Sequence, residues 1–192
     1  MEPFQYNGRQ IDFKAVTGQV RGAHKHAETI VKGKGGGGIN GNVEPIHIEC
    51  QVVIKQEFFL KSGTGKDVSF KLQDEDIPLA ENQNITMVSG QIGKKVLWPL
   101  LVNHDAELYW RLGNLTTQAI EWGLVRNPGW ILLIGIAIWV GTAHLLNGWA
   151  GFLAAVSYWM FEWLIMRTTT KALKGHLDGL GSKFLRSGTA VS

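Results

Sequence analysis

The sequence predicts an α+β membrane protein: a small antiparallel β-barrel or β-sandwich domain, a two-helix transmembrane hairpin, and an amphipathic C-terminal helix. Three observations carry that prediction. Residues 129–166 contain no Lys, Arg or Asp, and their only carboxylate and imidazole are Glu162 and His144. Upstream, apolar and polar residues alternate in short runs separated by turn residues, the period of half-buried strands. Downstream, Leu173, Leu177, Leu180 and Phe184 recur at helical spacing among basic residues.

Taking the elements in order, residues 1–112 are expected to form the β domain. After a polar leader, residues 11–31 read as one or two strands, followed by a glycine-rich loop at 32–42, because four consecutive glycines cost too much backbone entropy inside a regular element. The clearest strand follows. Ile46, Ile48, Cys50, Val52, Ile54, Phe58 and Leu60 share one face, and His47, Glu49, Gln51, Lys55 and Glu57 fall largely on the other. Cys50 is the only cysteine, so no internal disulfide is possible. Its place in the alternation predicts a core residue. Ser62-Gly63-Thr64-Gly65 reads as a turn into a partner strand bearing Val68, Phe70 and Leu72. Asp74-Glu75-Asp76 is a solvated break, and further short strands are expected at 85–88, 96–102 and 108–110, the last after a turn at Asn103-His104-Asp105.

From Asn114 the period becomes helical. Asn114 suits an N-cap, and Leu115, Ala119, Trp122 and Val125 share a face. Residues 113–128 are therefore expected to form a juxtamembrane helix and linker lying along the membrane surface. Asn127-Pro128 then opens the first span, since proline is tolerated in a helix's first turn. Two apolar segments, 129–146 and 149–166, are each long enough at about 27 Å to cross a hydrocarbon core, with a tight turn between them at Asn147-Gly148. Trp130 and Trp163 mark one boundary and Trp149 the other. Small residues allow membrane helices to approach closely, so Ala137, Gly141, Gly151 and Ala155 are the expected packing positions. Residues 167–192 form a basic amphipathic tail, its helix weakened by Gly175, Gly179 and Gly181.

Charge orients the chain. Residues 1–128 hold 14 Lys/Arg and 14 Asp/Glu, whereas residues 167–192 hold five basic groups against Asp178 alone. A neutral head argues against nucleic acid, which calls for a basic stripe. Basic residues flank the outer ends of the spans and none lies in the turn, which places both termini in the cytoplasm and the protein in an inner (plasma) membrane. The opening MEPFQYNGRQ lacks the charged start and apolar core of a signal peptide. Arg167, Lys171, Lys174 and Lys183 are the expected contacts to lipid headgroups, at about 1 kcal/mol per charge near an anionic surface.

Candidate sites are few. Glu162 and His144 are the membrane functional candidates, because ionisable groups in a bilayer are expensive and often functional. They lie near opposite boundaries, so a coupled relay is not expected. His24 and His26 could meet His47 across a sheet, but no Cys/His spacing matches a structural metal pattern, and no metal or cofactor is expected. A phosphate-binding loop requires a glycine five residues before Gly-Lys-Ser/Thr. The SGTGKD run has Leu60 at that position and Asp67 at the hydroxyl position, and IGKK at 92–95 fails likewise, with Val88 at the first. No nucleophile, base and orienting acid can be assembled, so no catalytic residue and no enzyme activity is expected. The expectation is a membrane-anchored binding or scaffolding module in the lipid bilayer, homo-oligomeric, whose β domain engages a cytoplasmic protein partner. The alternatives are a homo-oligomeric channel or transporter subunit with the spans lining a pore, and envelope regulation through the tail.

Overall fold

A computed structural model describes residues 1–34, 47–62, 67–145 and 148–188. Its seven strands are β1 (Phe4–Tyr6), β2 (Arg9–Lys34), β3 (His47–Ser62), β4 (Asp67–Gln73), β5 (Asn84–Ile92), β6 (Lys95–Asn103) and β7 (Leu108–Arg111). They form one sheet in the order β4-β3-β2-β5-β6-β7, with β1 on β2. The registered pairs are antiparallel. Three helices follow, α1 (Leu115–Glu121), α2 (Pro128–Leu145) and α3 (Gly148–Gly188). Both α2 and α3 are long and apolar enough to cross a membrane. The chain divides into two compact units, Thr17–Ile85 and the remainder. Most of the glycine-rich stretch at 32–42, the turn residues 63–66 and Asn147 lie outside the described residues.

The Thr17–Ile85 unit is built on β3. Phe58, Leu60 and Phe70 are buried with Val20, Ile77 and Ile85, and the Phe58 and Phe70 rings stack at 5.5 Å on facing strands. Among the described residues β4 pairs with β3 between Lys55 and Lys61. Beyond it β2 and β3 continue as a two-stranded ribbon as far as the Lys34–His47 pair, after a register shift between Arg21 and His24. Every residue in 24–33 and 47–52 is exposed. The expected alternation is present here, since Ala27, Thr29 and Val31 pair with Ile54, Val52 and Cys50 and so share one face. The expected burial is not. Val31, Ile48 and Val52 are 62%, 64% and 60% exposed, and Cys50 is an exposed thiol rather than a core residue. Period two assigns residues to a face; it does not supply a layer to cover that face.

The other unit holds the larger core. Phe4, Ile11, Phe13, Val88, Leu100 and Val102 from the strands meet Ala119, Trp122, Leu124 and Val125 around α1, and Leu173, Leu177 and Leu180 of α3. Asn114 caps α1, its side-chain oxygen accepting from the Thr116 and Thr117 amides at 2.8 and 3.3 Å. The apolar face of this helix, expected from sequence to lie along the membrane surface, is turned into the protein. Its Ala119 and the C-cap Trp122 are fully buried in this core, where the large apolar area of the indole is covered.

The largest departure from expectation is α3. The segment expected as the second span and the segment expected as a separate tail form one helix of 41 residues, about 60 Å long. The Thr168-Thr169-Thr170 run would weaken a helix if its hydroxyls competed for backbone elsewhere. Here each hydroxyl donates to the carbonyl four residues back, at 2.7–2.9 Å. Gly151, Ala155, Glu162, Thr169, Leu173, Leu177 and Leu180 are all buried and, at spacings of three, four and seven, form a single stripe. The leucine half packs into the β core, so the tail's apolar face is consumed within the chain. Gly181 belongs to the same stripe, and a side chain there would meet the Tyr109 ring at 2.7 Å.

Candidate functional site where the start of α2 meets α3

The chain leaves the β core through buried Leu124 and Val125 and enters α2 at Asn127-Pro128. The Asn127 side chain accepts from the Gly129 amide at 2.9 Å, so cap and proline together fix where the helix starts. Arg126, just before this start, is thereby held beside α3. Its Nη1 donates to Glu162 Oε1 at 2.8 Å and to the Tyr158 hydroxyl at 3.4 Å. Glu162 is only 7% exposed. A carboxylate so buried requires a cation, and Arg126 supplies it. Arg167, the basic residue nearest Glu162 in sequence, lies instead over the Trp163 ring at 5.2 Å. A signal for the true partner existed: Arg126 and Glu162 flank the same ends of the two apolar segments.

His144 lies exposed in the last turn of α2, at the other end of the hairpin from Glu162, so the two membrane candidates are not brought together. Along the helix contact, Gly151 is buried and a Cβ there would meet the Trp139 carbonyl at 2.7 Å and the Ala143 amide at 2.8 Å. Ala155 is buried one turn further on. Ala137 and Gly141 are exposed, with nothing within 4 Å of a Cβ at Gly141. The α2 face turned to α3 instead carries Gly135, which seats the Trp159 indole, while Trp159 Nε1 donates to the Ile131 carbonyl at 3.3 Å. Small size as the criterion found the contact residues of α3 but not that of α2, whose rotation places Gly135 against the indole.

The basic residues separate into two groups. Arg167, Lys171 and Lys174 line one open groove of about 410 Å³ with Trp163, Met166, Thr170 and Thr116. Lys183 lies nine residues beyond Lys174, about 13 Å along the axis, with Glu2 at 3.8 Å. The second α3 carboxylate, Asp178, accepts from Arg111 Nη1 at 3.0 Å to each oxygen. His176 sits between Phe4 and Phe13, 5.3 Å from each ring, and burial pulls its pKa below the ordinary histidine value against a smaller opposing effect of Glu2.

His24 and His26 do not meet His47 across the sheet. His26 pairs with Lys55 and His47 with Lys34, eight residues further along β2, a separation of about 27 Å. Among the described residues no cluster of His, Cys, Asp and Glu could hold a metal ion. Comparison with protein-family models, curated proteins and solved structures returns no match.

Proposed function

We propose that the protein is a non-enzymatic, membrane-anchored binding module. Its α2–α3 hairpin crosses an inner membrane twice and leaves both termini in the cytoplasm, and its barrel- or sandwich-type head engages a protein partner through the β2–β3 ribbon. The observation that carries this reading is the exposed apolar face of Val31, Ile48, Cys50 and Val52. An isolated two-stranded ribbon is marginal in water, and a continuous apolar face on it marks an interaction surface. The opposite face is mostly polar, with Glu28, Lys32, Glu49, Gln51 and Lys55 around Ile30, and Lys55 is hydrogen-bonded to Glu28. Homo-oligomerisation is part of the same proposal, since much of the two spans' surface is apolar and exposed. The pore alternative leans on Glu162, whose carboxylate is held by Arg126, and gains no separate support.

Cys50 makes the proposal testable without an engineered probe, because it is the only thiol and stands on the proposed surface. In native membranes, maleimide labelling of Cys50 should be slow, and thiol crosslinking should give one discrete higher-mass product. Val52→Glu should restore fast labelling and abolish that product. Fast labelling of the unaltered protein, with only monomer after crosslinking, would overturn the proposal.

A further inference from the structure

We infer that the groove beside Trp163 is a site for an anionic phospholipid, its phosphate held by Arg167, Lys171 and Lys174. The inference rests on the membrane-anchored reading. Positions 167, 171 and 174 fall within about 60° of one another around a helix, on the side of α3 away from its buried leucines. What distinguishes them from a solvated basic face is the fate of the nearby carboxylates. Glu162 and Asp178, the only acidic residues of α3, are each taken by an arginine from elsewhere in the chain, Arg126 and Arg111. Three cations therefore face the groove with no carboxylate partner among the described residues.

Depth fits the same occupant. If hydrocarbon ends near Met166, Arg167 follows at once and Lys171 lies about 6 Å further along the axis. Those two bracket a headgroup layer about 5–8 Å thick, with Lys174 at its outer edge. Trp163 and Met166 give the groove an apolar floor on the membrane side, where an acyl chain would run. Arg167, stacked on Trp163, is fixed at the junction. The Thr170 hydroxyl is already spent on the Met166 carbonyl, which leaves Thr116 as the neutral donor. Arginine and lysine together recognise a phosphate oxygen by charge-assisted hydrogen bonds, which free phosphate could also satisfy. The apolar floor commits the site to a lipid.

The test uses the full chain, purified in detergent and examined by native mass spectrometry with phosphatidylglycerol or phosphatidylcholine added. Carbonate extraction of the source membranes is run in parallel. The unaltered protein should retain phosphatidylglycerol in preference to phosphatidylcholine. Lys171→Gln with Lys174→Gln should lower that retention about tenfold or more, Lys171→Arg with Lys174→Arg should keep it, and Lys183→Gln should leave it unchanged. Equal loss in Lys183→Gln would mean diffuse attraction by the tail and overturn the site. So would retention that millimolar inorganic phosphate displaces, since the occupant would then be a soluble anion. If the protein resists carbonate but shows no lipid preference, the site fails and the anchor stands. If carbonate releases it, the anchor fails and the site with it.

Discussion

Gly151 and Gly141 are both small residues in the apolar hairpin, yet alanine at each should act in opposite directions. At Gly151 a methyl group would lie 2.7 Å from the Trp139 carbonyl oxygen, 2.8 Å from the Ala143 amide nitrogen and 2.9 Å from Thr142 Oγ1, where ordinary contact begins at 3.4 Å. Two of the three obstacles are α2 backbone, which cannot rotate away. The helices would have to part by roughly half an ångström or more, losing dispersion contact along the seam, and overpacking of this kind costs about 1–3 kcal/mol. At Gly141 nothing lies within 4 Å, and alanine gains up to about 1 kcal/mol of helix propensity. The assay is reversible unfolding of the full-length protein in mixed micelles by increasing SDS, followed by tryptophan fluorescence. Gly151→Ala should unfold at lower SDS, corresponding to a fall of roughly tenfold in the folding equilibrium, about 1.4 kcal/mol. Gly141→Ala should unfold at equal or higher SDS. Equal destabilisation by both, or none at Gly151, would refute the rotation assigned to α2.

Two further outcomes follow from the β core. Leu177 is fully buried where α3 docks onto the strands, and Leu177→Ala should cost about 2–5 kcal/mol, measured by denaturant unfolding of the same preparation; a cost near zero would mean that the stripe faces lipid or solvent instead. Burial lowers the folded-state pKa of both His176 and His104, the latter with the Asp105 charge opposing, from an ordinary value of 6.5. The unfolded chain then binds more protons just below pH 6.5, so stability contributed by these imidazoles is present above that pH and falls as the medium is acidified through the folded pKa values. Unfolding midpoints at pH 7.5 and pH 5.5 should show this drop, and His176→Phe should reduce it; an unchanged slope in that variant would place the effect elsewhere.

What could be read from the sequence was whatever depends on neighbours along the chain. The N-caps at Asn114 and Asn127 were legible because a cap is a bond between residues two or three apart. The apolar runs at 85–88, 96–102 and 108–110 occupy β5, β6 and β7, since a short apolar run bounded by turn residues is a local signal of a buried strand. Cys50 misled for the same reason: its neighbours identify its face, and only residues remote in sequence decide whether that face is covered. In the site, Glu162 was conspicuous by itself as a lone carboxylate, but its tie to Arg126 joins residues 36 positions apart.

Most of the element order and the two apolar segments long enough to cross a bilayer were therefore legible in the sequence, through a fixed rise per residue and a fixed side-chain period. Three things needed the tertiary structure: the fusion of the second span with the tail into one helix, the pairing of each α3 carboxylate with a distant arginine, and the basic groove those pairings leave uncompensated. Each depends on the rotation of one element against another, and that rotation is settled by packing, where an indole seated on Gly135 or a leucine stripe seated in a β core outweighs any local preference.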